Sequence, residues 1–213
     1  MKLSKYIDHT ILKADATKEK LIKLCNEAIE YDFKTVCVNP SYIQLCKDLL
    51  KDSDVLVCTV IGFPLGQMTT EAKVFETKDA IAKGADEVDM VINIAKLKDR
   101  DLEYVTNEIK AIKEACGNHV LKVIIETCLL TDEEKELACK CILDAKADFV
   151  KTSTGFSTNG ATFHDVELLK KCVGDNCLVK AAGGVKTHDD FLKMIELGAD
   201  RIGTSSGVKL LQE

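Results

Sequence analysis

The chain has 213 residues, 46% of them hydrophobic and 30% charged, which is long enough to bury a sizeable core and ordinary for a soluble globular protein. Its formal charge is −6 and its basic residues include only two arginines, Arg100 and Arg201, a balance that argues against a nucleic-acid partner. The ten cysteines lie mostly inside apolar runs such as TVCVN and VLVCTVIGF, with no CxxC pair, so they read as buried side chains in a reducing, cytoplasmic setting rather than disulfides or a zinc site.

The opening segment, MKLSKYIDHTILKAD, carries Lys5 and Asp8 where a secretory leader needs an unbroken apolar stretch. No run approaches the ~20 apolar residues of a membrane span, so no membrane partner is expected. Short β-branched runs predict strands at Tyr6–Thr10, Thr35–Asn39, Val55–Ile61, Glu87–Asn93, Leu121–Thr127, Asp148–Thr152, Leu178–Ala182 and Arg201–Thr204. Between them apolar residues fall at helical spacing, as at Leu21, Leu24, Cys25, Ala28 and Ile29. SYIQ at Ser41–Gln44 and TDEE at Thr131–Glu134 have the form of capping boxes. Gly84, Gly117, Gly174 and Gly198 stand where left-handed helix stops belong. GADEV, KADFV and GADRI, beginning at residues 84, 146 and 198, look like one helix-to-strand turn used three times.

Strict alternation of strands and helices implies a parallel sheet with crossover helices. Eight such units close most economically into an α/β fold of the (β/α)8 TIM barrel type, one domain spanning 1–213; an open doubly wound sheet is the competing arrangement. In a barrel the active site lies at the C-terminal ends of the strands.

Three of those strands hold an ionisable residue where a buried run wants an aliphatic one: Asp89 in DEVDMVIN, Lys151 in DFVKTST and Lys180 in LVKAAGG. By two-residue alternation Lys151 and Lys180 share the inward face of neighbouring strands. Two ammonium groups in a partly desolvated interior cannot both stay comfortably charged, so at least one is expected to fall in pKa. A free lysine, pKa ~10.4, is a poor nucleophile, and a drop of ~3 units corresponds to ~4 kcal/mol of destabilisation of its charged form. A neighbouring cation with desolvation is a known route to a Schiff-base lysine. The plainer alternative is that each lysine snorkels or pairs with a carboxylate such as Asp89 or Glu126. Asp89 suits either a counter-ion or a proton carrier working through water. Asp8, Thr10 and Lys122 are candidate supporting members.

Three late strand exits, TSTG, AAGGVK and GTSSG, bring Gly, Ser and Thr to positions where barrel enzymes hold a substrate phosphate. Lys186 is a candidate cation at that rim. The segment IGFPLGQMTTEAK at 61–73 either covers the site or merely turns the chain. HExxH, Walker A and strand-linked GxGxxG motifs are absent, His9, His119, His164 and His188 have no ligand spacing, and Cys37 reads first as core.

DEVDMVIN, LKVIIET, ADFVKTSTGF, VKAAGGVKT and RIGTSSG, together with the opening IDHTILK, resemble in order and spacing the deoxyribose-phosphate aldolase family of metal-independent class I aldolases. The resemblance covers nearly the whole chain. It implies reversible cleavage of 2-deoxy-D-ribose 5-phosphate to D-glyceraldehyde 3-phosphate and acetaldehyde, in deoxyribonucleoside breakdown, with no cofactor and no metal. It implies Lys151 as Schiff-base nucleophile, Lys180 as its pKa-lowering and proton-transferring neighbour, and Asp89 as proton donor and acceptor. Gly155, Gly183, Gly184, Gly203, Ser205 and Ser206 would hold the phosphate. Phe156 stands where some longer members carry lysine, and the chain ends in GVKLLQE without their tyrosine-bearing tail. A homo-oligomer, a dimer first, is expected, although no surface stripe marks an interface. The alternatives are a phosphosugar isomerase without a covalent intermediate and a catalytically silent phosphosugar-binding barrel.

Overall fold

The computed structural model describes residues 2–212. Among them eight parallel strands pair in chain order and close: β1 (Ile7–Ile11), β2 (Thr35–Val38), β3 (Leu56–Ile61), β4 (Glu87–Val91), β5 (Val120–Ile124), β6 (Phe149–Lys151), β7 (Leu178–Ala182) and β8 (Arg201–Thr204). The helices between and after them are α1 (Lys18–Glu30), α2 (Ile43–Leu50), α3 (Thr70–Ala82), α4 (Ile94–Lys98), α5 (Leu102–Cys116), α6 (Asp132–Asp144), α7 (Phe163–Val173), α8 (His188–Glu196) and α9 (Gly207–Leu211). The open doubly wound sheet is thereby ruled out, because β8 pairs with β1 as well as with β7.

The repeated turn has a physical basis. Asp32, Gly84, Lys146 and Gly198, which end α1, α3, α6 and α8, all have positive φ. Two residues later Lys34, Asp86, Asp148 and Asp200 each donate a backbone N–H to the preceding odd strand, at Ile7, Val57, Leu121 and Val179. In three of the four the aspartate side chain also accepts the N–H of that same odd-strand residue, at 2.8 to 2.9 Å. The barrel is therefore four repeats of two βα units, and the fourth copy, YDFK, was hidden because lysine replaces the aspartate. Gly117 and Gly174 differ from the expected left-handed stops: their ψ values of −121 and −130 place them in a region open essentially to glycine, turning the chain toward β5 and β7 instead.

Helix starts follow local chemistry. The Thr131 box of α6 forms as expected, and equivalent boxes at Thr162 and Thr187 use aspartate in the third position. The SYIQ box does not form: Pro40 opens a 3-10 turn over Pro40–Tyr42, and α2 begins at Ile43 without a side-chain cap. On the outer side of the sheet the aliphatic core meets the helices, with Ile7, Val36, Val57, Leu121 and Val179 all 0% exposed.

By register and alternation the interior is filled in layers of four from alternate strands. Thr35, Glu87, Phe149 and Arg201 form the lowest, followed by Asp8, Cys58, Lys122 and Lys180, then Cys37, Asp89, Lys151 and Gly203. Where such layers are ordinarily aliphatic, these hold seven charged side chains, all buried.

Candidate active site

The buried charges form one continuous network. Arg201 donates to Asp8 and to Glu87; Lys122 pairs with Glu87 at 2.6 Å and with Asp89 Oδ1 at 2.8 Å. Lys180 pairs with Asp8 at 2.5 Å and Asp89 Oδ2 at 2.8 Å, and Lys151 lies 2.8 Å from that same Oδ2. Lys151 and Lys180 are register partners, so the inward pairing expected from alternation is correct. The plainer alternative is half right: the lysines are paired, with Asp89 as the shared partner. Glu126 is not one of those partners. It adopts a left-handed conformation after β5 and accepts the Thr154 N–H at 3.1 Å and the Thr154 hydroxyl, pinning the loop that follows Lys151.

Burial would raise the Asp89 carboxyl, but Lys122, Lys151 and Lys180 around it prevail and hold it well below its ordinary value. Burial would likewise lower Lys180, and the carboxylates of Asp8 and Asp89 outweigh it, so Lys180 is raised and stays an ammonium. Lys122 is raised for the same reason, burial being overcome first by Asp89. Lys180 is thus cationic in this network, and its nitrogen shares one carboxylate oxygen with that of Lys151.

Above this network a cavity of about 590 Å³ opens at the C-terminal ends of the strands. Lys151 and Thr10 lie at its floor; Gly155, Gly183, Gly184, Gly203, Ser205 and Ser206 line its wall. Asp8, Asp89, Lys122 and Lys180 sit beneath, at 0% exposure. Lys186 does not line the cavity; its exposed backbone N–H bonds Asp190 in the cap of α8. Lys13 and Lys20, from the β1 exit and α1, do line it and went unrecognised, since nothing in their local pattern marks a rim.

Two glycines are confined by their neighbours, and Gly184 by its φ as well. A Cβ on Gly184, φ +80, would lie 2.5 Å from the Ala161 carbonyl oxygen, and one on Gly203 would come within 3.2 Å of the Lys180 side chain. Gly203 therefore keeps its position in the upper layer empty of side chain, beside the cavity. Phe156 is 51% exposed on the cavity wall, its ring edge-on to Phe63 at 5.4 Å. Phe63 belongs to the segment at 61–73, which thus flanks the rim. Among the histidines, His9 is a core residue with Nε2 at 2.8 Å from Glu27, and burial lowers its pKa despite that carboxylate. All ten cysteines are free thiols, and eight are buried.

Residues 2–213 match the family described as DeoC/LacD family aldolase. A deoxyribose-phosphate aldolase of Malacoplasma penetrans is 63% identical over 99% of this chain and 95% of its own length; one of Finegoldia magna is 59% identical over the full length of both. Among solved structures, the tetrameric deoxyribose phosphate aldolase from Aeropyrum pernix superposes with a TM-score of 0.90 at 35% identity, covering 99% of this chain and 89% of that one. With a family match over nearly every residue, relatives this similar and a barrel whose lysines converge on one carboxylate, the chain belongs to the DeoC/LacD family of aldolases.

Proposed function

We propose that the protein is a class I aldolase that reversibly cleaves 2-deoxy-D-ribose 5-phosphate to D-glyceraldehyde 3-phosphate and acetaldehyde through a Schiff base on Lys151. One observation carries the assignment: of the three lysines bonded to Asp89, Lys151 alone lines the cavity. Lys122 and Lys180 each hold two carboxylates, whereas Lys151 holds one. Four cationic side chains face three carboxylates in this network, which leaves one cation in excess.

Neutral Lys151 attacks the C1 aldehyde of the open-chain sugar, and loss of water gives an iminium ion. The C3 hydroxyl loses its proton, the C2–C3 bond breaks, and its electron pair passes into the iminium, leaving an enamine on the lysine. Proton traffic runs through Lys180 and water close to Asp89. While three ammonium groups surround it Asp89 is a weak base; in the neutral enamine it has lost one of them and accepts or returns a proton more readily. Protonation of the enamine and hydrolysis release acetaldehyde. Asp8 and Lys122 position the network from below, and Thr10 at the floor orients the sugar.

The phosphate would be held by backbone N–H groups and hydroxyls of Gly155, Gly183, Gly184, Gly203, Ser205 and Ser206. Lys13 and Lys20 supply the cationic side of the same cavity, the part assigned to Lys186 on sequence grounds. Binding energy from this remote group orients C1 against Lys151. Residues 1–213 act as one barrel domain without a cofactor, in the cytoplasm, where free thiols stay reduced; no helix among the described residues is long and apolar enough to cross a membrane. A homodimer is the expected assembly, and a dimer of dimers would be one route to the tetramer of the Aeropyrum relative. Sedimentation decides between monomer, dimer and tetramer.

Borohydride reduction in the presence of acetaldehyde, followed by peptide mapping, tests the mechanism. The expected adduct is on Lys151. An adduct elsewhere, or none with active protein, sinks the assignment, and an isomerase would give none.

A further inference from the structure

Two thiols inside the barrel take no part in the chemistry above. Cys37 on β2 and Cys58 on β3 are register partners, both fully buried and both directed inward with Asp89. Cys58 Sγ lies 3.1 Å from Asp89 Oδ1 and 3.3 Å from Lys122 Nζ. The two sulfurs and a carboxylate oxygen of Asp89 all fall within 4.8 Å of one another, a gathering of three such donor atoms among the described residues.

We propose that Cys37, Cys58 and Asp89 form a site for a thiophilic divalent cation, Zn²⁺ in the first place, and that its occupancy inhibits the enzyme by drawing Asp89 away from its lysines. The inhibitory half rests on the proposed roles of Asp89 and Lys151; the binding half rests on geometry alone. Tetrahedral zinc with bonds of about 2.3 Å to sulfur and about 2.0 Å to oxygen sets its ligand atoms roughly 3.5 to 3.8 Å apart, so small side-chain rotations suffice. Charge also permits it. As the ion enters, two thiol protons leave to solvent, so the charge of the surrounding network does not change and the nearby ammonium groups meet no added net charge.

Access runs from the cavity floor: Cys37 is the register partner of Thr10, and Thr10 and Lys151 line the cavity. Three protein ligands leave a fourth position for water. Coordination through Asp89 Oδ1 displaces Lys122, which keeps Glu87, and weakens the hold of Oδ2 on Lys151 and Lys180.

The test uses reduced, chelator-washed full-length protein titrated with Zn²⁺ and, for its thiolate charge-transfer absorption, Cd²⁺. One equivalent is expected to bind, with proportional loss of the borohydride-trapped acetaldehyde adduct on Lys151 and recovery on adding chelator. Cys37→Ser and Cys58→Ser should each weaken binding by at least about tenfold, whereas a Cys128→Ser/Cys172→Ser variant, lacking the two partly exposed thiols, should bind as the parent does. Melting curves confirm that each variant is folded, and Cys37→Ala and Cys58→Ala repeat the comparison if a serine is not tolerated. No stoichiometric binding, binding that survives both substitutions, or a bound ion that leaves trapping intact would each overturn the proposal. If metal-free protein traps no acetaldehyde on Lys151, the aldolase reading has failed instead, and the Cd²⁺ absorption still reports on the site.

Discussion

The lower interior of the barrel and its mouth handle charge in opposite ways. Below, four cationic side chains and three carboxylates are held at fixed distances, all buried. Above, the wall offers backbone groups, hydroxyls and small residues, with Lys13 and Lys20 at the edge. The contrast supports the proposed role of Lys151. Lys151 is the side chain that belongs to both, tied to Asp89 underneath and open to the cavity above.

Removing that shared member should give the largest effect. Lys151→Met is expected to lower kcat/KM by at least about 10⁴-fold, the scale seen when a covalent nucleophile is deleted, and to abolish borohydride trapping. Its melting temperature should change little, because the substitution removes the cation in excess and leaves Asp89 with two lysines. A variant that keeps its activity would place the nucleophile elsewhere.

Asp89→Ala attacks the lower region itself. Three lysines then lose a shared buried carboxylate, and unpairing of this kind costs about 3–5 kcal/mol, readable as a lower denaturation midpoint. The same region sets the acid limb of stability. Asp8 and Asp89 ionise well below the ordinary 3.8 in the folded state, so below 3.8 the unfolded chain binds protons that the native one does not. Their contribution is complete above that value and is lost as pH falls through it toward the folded pKa. Denaturation midpoints between pH 5 and 2 should therefore drop steeply in the parent and less in Asp89→Asn.

At the mouth, the corresponding change is to backbone. Gly184→Ala forces a Cβ against the Ala161 carbonyl at positive φ, a strain of about 1–3 kcal/mol that displaces the loop rather than the network. The expected signature is a KM for deoxyribose 5-phosphate raised about tenfold, with kcat/KM for unphosphorylated deoxyribose nearly unchanged. Equal losses on both substrates would mean that this wall does not hold phosphate.

The two regions were also unequally legible. Asp89, Lys151 and Lys180 stood out because charges within apolar strands violate the burial pattern, and two-residue alternation placed both lysines inward. Asp8 and Lys122 read from sequence only as supporting candidates, yet each forms two ion pairs, and nothing in the sequence marks Arg201 and Glu87 as members of the network. The last two begin their strands, where polar residues are unremarkable, and closure of the barrel brings them together across 114 residues. The mouth was readable as composition, Gly and Ser after late strands, but the distinction between Lys186 and Lys13 or Lys20 depends on how loops fold back, which no local pattern carries. Strand ends slipped for a similar reason: the run through Thr127 stops at Ile124 because Glu126 turns left-handed to hold Thr154.

The smallest effect tests the repeat that closes both regions. Lys146 and Gly198 occupy the same position in two copies of one turn, with φ values of 57 and 105. A side chain in the left-handed region costs about 1 kcal/mol, and glycine returns most of that while adding some entropy to the unfolded chain. Lys146→Gly should therefore stabilise the protein by roughly 0.5 kcal/mol without altering activity. Gly198→Ala should go the other way, since its Cβ would stand 2.5 Å from the Lys170 side chain in addition to the unfavourable φ. The atoms in the way are Lys170 Cγ and, at 3.0 Å, Cβ, which stay with the α7 backbone when the end of the side chain moves, so the loss should exceed the roughly 1–2 kcal/mol of the backbone cost alone. A loss no larger than that would mean that the end of α7, where Lys170 donates to the Gly174 carbonyl at 2.9 Å, yields to the turn before β8.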